Sequence, residues 1–159
     1  MDYIIRDAVA DDMPQVLSLI EELAIFEKEP DAVDVTVQDL IKDGFGAQPL
    51  FHCFVAETKD EIVGLALVYF RFSTWKGRTV HLEDLIVRES KRGTGIGMAL
   101  YKRVMLYGKE KGVKRVEWNV LDWNKPAVDF YLKSGAKILE GWQVVQMDEQ
   151  GLNEFVSKI

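Results

Sequence analysis

The residues best suited to chemistry in this 159-residue chain begin with the turn Arg92-Gly93-Thr94-Gly95-Ile96-Gly97. It lies between an apolar, β-branched run, Thr79 to Val87, and a run that carries Ile96, Leu100, Val104 and Tyr107 at helical spacing. Strand, glycine-rich turn and helix together aim backbone N–H groups at an anion, because the first amides of a helix have no carbonyl one turn back and the helix dipole is positive there. Glycines let a ligand touch the backbone, and an arginine adds a fork suited to phosphate. The turn therefore reads as a pyrophosphate seat with Gly97 and Met98 opening the helix. A P-loop would need Gly-Lys-Ser/Thr, and Met98 follows Gly97; a dinucleotide fingerprint would need Gly or Ala where Met98 stands. The pattern that fits is R-x-x-G-x-G.

Glu83 and Asp84 interrupt the otherwise apolar strand just before that turn. A carboxylate inside a strand costs desolvation unless it is paired, solvated or used. One account pairs them with Arg71 or Arg78. The other makes an acidic pocket for a protonated amine, with one carboxylate taking the proton. Ideal alternation puts neighbours on opposite faces, so only one would line a site unless a bulge reorients the strand. Tyr131, beside Phe130, fits either a core position or an acid. Trp75 and Trp142 fit either a core or the walls around an ammonium. Glu27 and Glu140, near element ends, read by default as solvated charges.

The elements that must hold these residues follow from periodicity and punctuation. Tyr3 to Arg6 reads as a first strand. Asp12, Pro14 and Gln15 mark an N-capped helix with the stripe Met13, Val16, Leu17, Ile20, Leu23 and Ala24; Thr36 with Asp39 opens a shorter helix stopped at Gly44-Phe45-Gly46. Leu50–Glu57 and Glu61–Phe72 are strands joined by Thr58-Lys59-Asp60, Val113–Val120 is a further strand, and Asn124-Lys125-Pro126 starts a helix closed by Gly135. Trp142–Met147 reads as a last strand and Gly151–Ile159 as a tail with helical character. The order β-α-α-β-β-β-α-β-α-β gives an α/β fold of one domain over residues 1–159, with a mixed sheet, antiparallel in its first half and covered by helices on both faces.

Composition narrows the function. A net charge of −6 argues against nucleic acid and anionic membranes and suits a cationic small molecule. Cys53 is the one cysteine, so no intrachain disulfide forms; with only His52 and His81 besides, no metal site is expected. The opening lacks a signal-peptide pattern and no run is long enough to span a membrane, which leaves the cytoplasm as the expected location.

Taken together, these blocks carry a resemblance. R-x-x-G-x-G resembles the acetyl-CoA signature of the GCN5-related N-acetyltransferases. Glu27, Asp43-Gly44-Phe45-Gly46, His52-Cys53 with Val55-Ala56-Glu57, Leu82-Glu83-Asp84, Arg92 through Gly97, Trp123-Asn124 and Tyr131 resemble, in order and spacing, the spermidine/spermine (diamine) N-acetyltransferase family. Ser73 to Thr79 and Val120 to Asn124 are most similar to its thialysine N-epsilon-acetyltransferase branch. The resemblance implies a central sheet splayed at the fourth strand, a homodimer, and acetyl-CoA as co-substrate. The cofactor would be held by Leu85, Ile86, Val87, Arg92, Gly93, Thr94, Gly95, Ile96, Gly97 and Met98, flanked by Asn124, Pro126, Ala127 and Tyr131. Tyr131 would be the general acid for the departing sulfur and Glu83 the carboxylate that draws the proton from the amine through water. Phe26, Glu27, Ser73, Trp75, Asp84, Glu140 and Trp142 would line the acceptor pocket with Glu83. Two departures stand out: the polyamine branch has an acid where this chain has Ser73 and a Tyr where it has Phe26. One anion fewer weakens the hold on a long polycation.

The expected activity is acetyl transfer to the primary amine of a small cation, a thialysine- or lysine-like amino acid or a di- or polyamine, by direct attack in a ternary complex. Transfer to a protein lysine or N-terminus, or a non-catalytic acyl-CoA or polyamine binding module, are the alternatives.

Overall fold

The computed structural model describes residues 2–59 and 61–159, and the chain divides into two compact units, Met1–Asn119 and Val120–Ile159. In the first, β1 (Ile4–Asp7), α1 (Met13–Phe26), α2 (Val37–Phe45), β2 (His52–Thr58), β3 (Glu61–Ser73), β4 (Gly77–Val87), α3 (Ile96–Glu110) and β5 (Val116–Glu117) follow in order. Short 3-10 turns, Ala10–Asp12 and Glu89–Lys91, precede α1 and follow β4. The sheet runs β1-β2-β3-β4-β5, antiparallel except for the parallel pair β4 and β5.

Strand alternation divides the core into two. Phe54, Ala66, Val68, Val80 and Leu82 meet the α3 stripe of Ile96, Leu100, Val104 and Tyr107 on one face. Cys53, Val55, Leu65, Leu67 and Ile86 meet Met13, Val16 and Leu19 of α1 and Leu40 of α2 on the other. Each fully buried Val, Leu, Ile, Phe or Met side chain among them is worth about 1.5–3 kcal/mol. Gly64 lets α3 approach β3: a Cβ there would stand 2.9 Å from the Ile86 carbonyl oxygen and 3.1 Å from Leu100 Cδ1.

Thr36 and Asp39 open α2 as expected and do so through a capping box, with the Asp39 amide donating to Thr36 Oγ1 at 3.2 Å and the Thr36 amide donating to Asp39 Oδ2 at 2.9 Å. Asp12 differs from expectation. It precedes α1 but makes no side-chain cap, because Arg6 draws its carboxylate away (Nη1–Oδ2 2.7 Å, Nη2–Oδ1 2.9 Å) and the Val9 amide donates to it at 2.8 Å. Asp60, in the expected turn between β2 and β3, lies outside the described residues.

In the second unit, α4 (Lys125–Lys133) forms as punctuation predicts, capped by Asn124, and the helical tail expected over Gly151–Ile159 forms as α5 (Glu149–Val156), starting two residues earlier with Asp148 as its cap. Two strand expectations need correction. The strand expected over Val113–Val120 contracts to Val116–Glu117, the two residues that β4 pairs. Trp142–Met147 forms no strand: β-propensity makes a strand only where a neighbour completes the ladder, and Val144 and Val145 lie exposed.

Candidate active site

β4 carries the site, and an irregularity in it decides what the site contains. Asp84 stands opposite Leu67 and Leu82 opposite Val68, so Glu83 is an extra residue without a partner on β3. This β-bulge resets the alternation. Leu82 and Leu85 both point to the α3 face, and Glu83 and Asp84 both fall on the α1 face, where Leu67 belongs to the α1 core. The two carboxylates that ideal pleating would separate are thereby brought together.

Glu27, the C-cap of α1, joins them electrostatically. Burial, then the charges of Glu83 and Glu27, push the Asp84 carboxyl up to about 6. Glu27 is raised too, by burial and then by Glu83. Glu83 goes the other way: His81, whose Nε2 lies 3.4 Å from Oε2, outweighs the effect of burial, Tyr69 adds to it, and the pKa is lowered. Three acids thus crowd one place, one ionised and one poised near neutrality. The arginines suited to neutralise them, Arg71 and Arg78, are engaged elsewhere. Arg71 pairs with Glu117 at 2.6 Å, and the Arg78 guanidinium lies 4.3 Å from the centre of the Phe70 ring.

β4 ends at Val87, three residues beyond Asp84, and the 3-10 turn Glu89–Lys91 leads into the glycine turn. Gly93 (φ 74°) and Gly95 (φ 89°) take the left-handed conformation that a side chain disfavours, and Gly95 caps α3 with no side chain over its amides. A Cβ at Gly93 would meet nothing within 4 Å, and one at Gly95 only the Tyr3 hydroxyl, at 3.8 Å. The space in front of this backbone is open, and the amides of Ile96, Gly97 and Met98 head the helix. Thr94 Oγ1 ties the turn by donating to the Lys91 carbonyl at 2.6 Å. Arg92 donates from Nε to the Val87 carbonyl at 3.1 Å and lies over the Phe26 ring at 5.2 Å, so it fastens the turn to the strand and to α1. Beside the turn, β5 pairs β4 only at Val80 and His81. Among the described residues, the Leu85–Val87 edge beyond has no strand partner on that side. An uncapped, glycine-lined helix start next to an open strand edge fits a pyrophosphate and its amide-bearing tail, the chemistry of an acyl-CoA.

Within the first unit, Ser73 and Trp75 stand apart from the acids. Ser73 Oγ accepts from the Trp75 and Lys76 amides at 3.2 Å each, in the β3–β4 hairpin whose tip exposes Trp75. Gly77 and Glu83 are six positions apart along the strand, about 20 Å, so one copy of the chain does not bring Ser73 or Trp75 to the acids. In the second unit, Asn124 Oδ1 accepts from the Ala127 amide at 3.4 Å, Pro126 lies in the first turn of α4, and the half-buried Tyr131 packs edge-on against Phe130 at 5.3 Å. Glu140 and Trp142 are exposed in irregular chain on either side of Gly141. Cys53 is buried and its thiol is pushed up to about 12, which suits a core residue rather than a nucleophile. Tyr69, His81 and Glu117 are the neighbours that motif reasoning misses. The signal was present, since His81 and Glu83 are two apart in one strand.

With this geometry in view, comparison with known proteins is direct. Residues 13–136 match the acetyltransferase (GNAT) family, and the chain belongs to it. Thialysine N-epsilon-acetyltransferase of Bos taurus is 40% identical over 97% of both chains. Spermidine/spermine N(1)-acetyltransferase-like protein 1 of Homo sapiens is 37% identical over 96% of this chain and 24% of its own length. The fold matches an integron cassette protein from the mobile metagenome of V. cholerae at a TM-score of 0.80, with 23% identity over 98% of both chains. The protein is an N-acetyltransferase of a family that uses acetyl-CoA.

Proposed function

We propose that this enzyme acetylates the primary amine of a small cationic acceptor, a thialysine- or lysine-like amino acid or a di- or polyamine. The observation that carries this reading is the convergence of Glu27, Glu83 and Asp84 on one face, with Asp84 eight residues before the start of the glycine turn at Arg92. Three acids with their arginines engaged elsewhere attract an ammonium, and the turn can seat the acyl donor beside it.

A primary amine with a pKa near 10.4 is free in only about one molecule in a thousand at pH 7. The site must therefore bind the ammonium, take its proton and hold the amine in place. Glu83, held ionised, meets the ammonium and draws off the proton through water; Asp84, poised near 6, is where that proton can rest. Acetyl-CoA supplies the acyl thioester. An N–H on the open edge of β4 faces the acyl oxygen as it gains charge. Tyr131 donates its proton to the departing sulfur and recovers it from solvent. Overall one ammonium and one thioester become one amide, one thiol and one released proton, with no covalent bond to the enzyme.

Cofactor contacts from Leu85 to Met98 and from Asn124, Pro126, Ala127 and Tyr131 belong to this proposal, as do acceptor contacts from Phe26, Glu140 and Trp142, and from Ser73 and Trp75 supplied by a second copy of the chain. So does a homodimer, which the exposed run of Phe70, Phe72 and Trp75 along the hairpin supports. A cytoplasmic setting accords with the single, buried, unpaired Cys53.

The test is CoA release from acetyl-CoA with thialysine, lysine, spermidine and putrescine side by side. The highest kcat/KM is expected with thialysine or lysine, because Ser73 leaves the pocket one acid short. A large preference for spermidine would assign a polyamine acceptor. Acetyl-CoA binding without turnover on any of the four would overturn the small-amine reading and favour a protein acceptor or a binding module.

A further inference from the structure

His81 is a buried, ionisable side chain that the mechanism so far does not use. Its Nε2 lies 3.4 Å from Glu83 Oε2 and its Nδ1 3.8 Å from Glu117 Oε1. The surroundings of the ring are uneven. Glu117 is already held by Arg71 at 2.6 Å and by Arg115 at 2.7 Å, so its charge is offset before it reaches His81. Glu83, among the described residues, has no arginine or lysine within ion-pair distance. The Tyr69 ring packs against the imidazole at 5.0 Å, and Tyr69 is among the groups that lower the Glu83 pKa.

Stability alone does not explain a histidine here. Nδ1 is buried with no hydrogen-bond partner, a cost that an apolar ring of the same shape would avoid. What the imidazole supplies is the contact at Nε2. Its worth follows from where Glu83 stands: a flexible, half-exposed side chain on a bulge has many rotamers to lose before it can meet an ammonium.

We propose that His81 is a positioning residue, whose Nε2–H acts with the Tyr69 hydroxyl to fix Glu83 in one orientation as an anion facing the acceptor. This rests on the reading of Glu83 as the acceptor-facing carboxylate. His81 makes the largest contribution to holding Glu83 below the usual carboxylate range, while burial and like charges push Asp84 the other way. The adjacent acids are thus divided into a permanent anion and a protonatable one. The charged and titratable groups around the contact are Tyr69 and Arg71 from β3, Asp84 from β4, Arg115 and Glu117 at β5, and Glu27 from α1.

Two measurements test this, and only one needs turnover. The chain has two histidines, so nitrogen-15 spectra of the rings assign readily. His81 is expected in the Nε2–H tautomer, and Glu83→Gln is expected to disturb it. The carboxyl carbon of Glu83 should titrate at higher pH in His81→Phe than in wild type. An Nδ1–H tautomer in wild type, or a Glu83 titration that His81→Phe leaves in place, overturns the proposal. In kinetics, His81→Phe should lower kcat/KM for the amine about tenfold and move its acid limb to higher pH, with KM for acetyl-CoA unchanged. His81→Gln, which keeps a donor, should recover most of that loss, and Tyr69→Phe should reproduce part of it if His81→Phe does not fold. An unchanged pH profile in the variants would equally count against the contact. Should wild type acetylate no amine while the spectra behave as stated, the functional reading falls and the His81–Glu83 contact stands.

Discussion

Arg71 Nη1 lies 2.6 Å from Glu117 Oε1, and that pairing decides the electrostatics of the neighbouring strand. By binding an acid on β5, Arg71 leaves the acids of β4 to one another. Asp84 then carries a charge cost that a structural salt bridge would have removed.

Because the folded protein raises Asp84 above its ordinary 3.8 to about 6, the fold prefers the neutral carboxyl. The cost is full above pH 6 and is relieved as pH falls towards 3.8. Asp84→Asn should therefore stabilise the protein at pH 7.5 by about 1 kcal/mol, allowing for partial exposure, while lowering turnover. Thermal melts from pH 4 to 8 check this, and a gain that persists unchanged at pH 4 would count against the assignment.

Asp12 should show the opposite sign. Arg6 holds its carboxylate below the usual range, so its contribution is present above the ordinary 3.8 and is lost as pH falls below it. Asp12→Ala should cost about 2 kcal/mol at pH 7 by leaving Arg6 and the Val9 amide short of an acceptor. The deficit should shrink in strong acid. Urea titrations at pH 7 and pH 3 measure both.

Gly95→Ala separates conformation from ligand binding. No atom blocks the new Cβ, but the left-handed backbone costs about 1–2 kcal/mol. The methyl group would also project towards the proposed anion seat. Melting should fall by several degrees and KM for acetyl-CoA should rise about tenfold, whereas an unchanged KM would move the pyrophosphate elsewhere.

Tyr131→Phe should lower kcat by about 10²-fold or more and leave acetyl-CoA affinity within about twofold, since only the proton is removed. Calorimetry of acetyl-CoA binding beside steady-state rates decides it. Wild-type turnover would take Tyr131 out of the mechanism.

Much of this arrangement is legible from residue types alone. The stripe Ile96, Leu100, Val104 and Tyr107, the helix start at Thr36 with Asp39 and the glycine turn depend on neighbours within a few positions, and the structure forms each as expected. What escapes is whatever a distant partner decides. Asp12 has the type and place of an N-cap, but Arg6 takes its carboxylate. Arg71 is suitably placed to pair with the β4 acids and instead meets Glu117. Trp142–Met147 has strand-forming residues without a ladder in its unit. The placement of Glu83 and Asp84 together turns on a single unmatched residue, which periodicity allows but does not locate.

That unmatched residue makes the parity of β4 change midway: positions up to 82 count in one phase and positions from 84 in the other. Both hydrophobic faces are built to this broken count, so excising residue 83 would leave every core side chain of the strand on its present face while removing one acid from the trio. The scaffold and the chemistry are therefore separable at one codon. A chain of this fold could lose or acquire its acidic site by a single in-frame deletion or insertion, with little demand on the rest of the core.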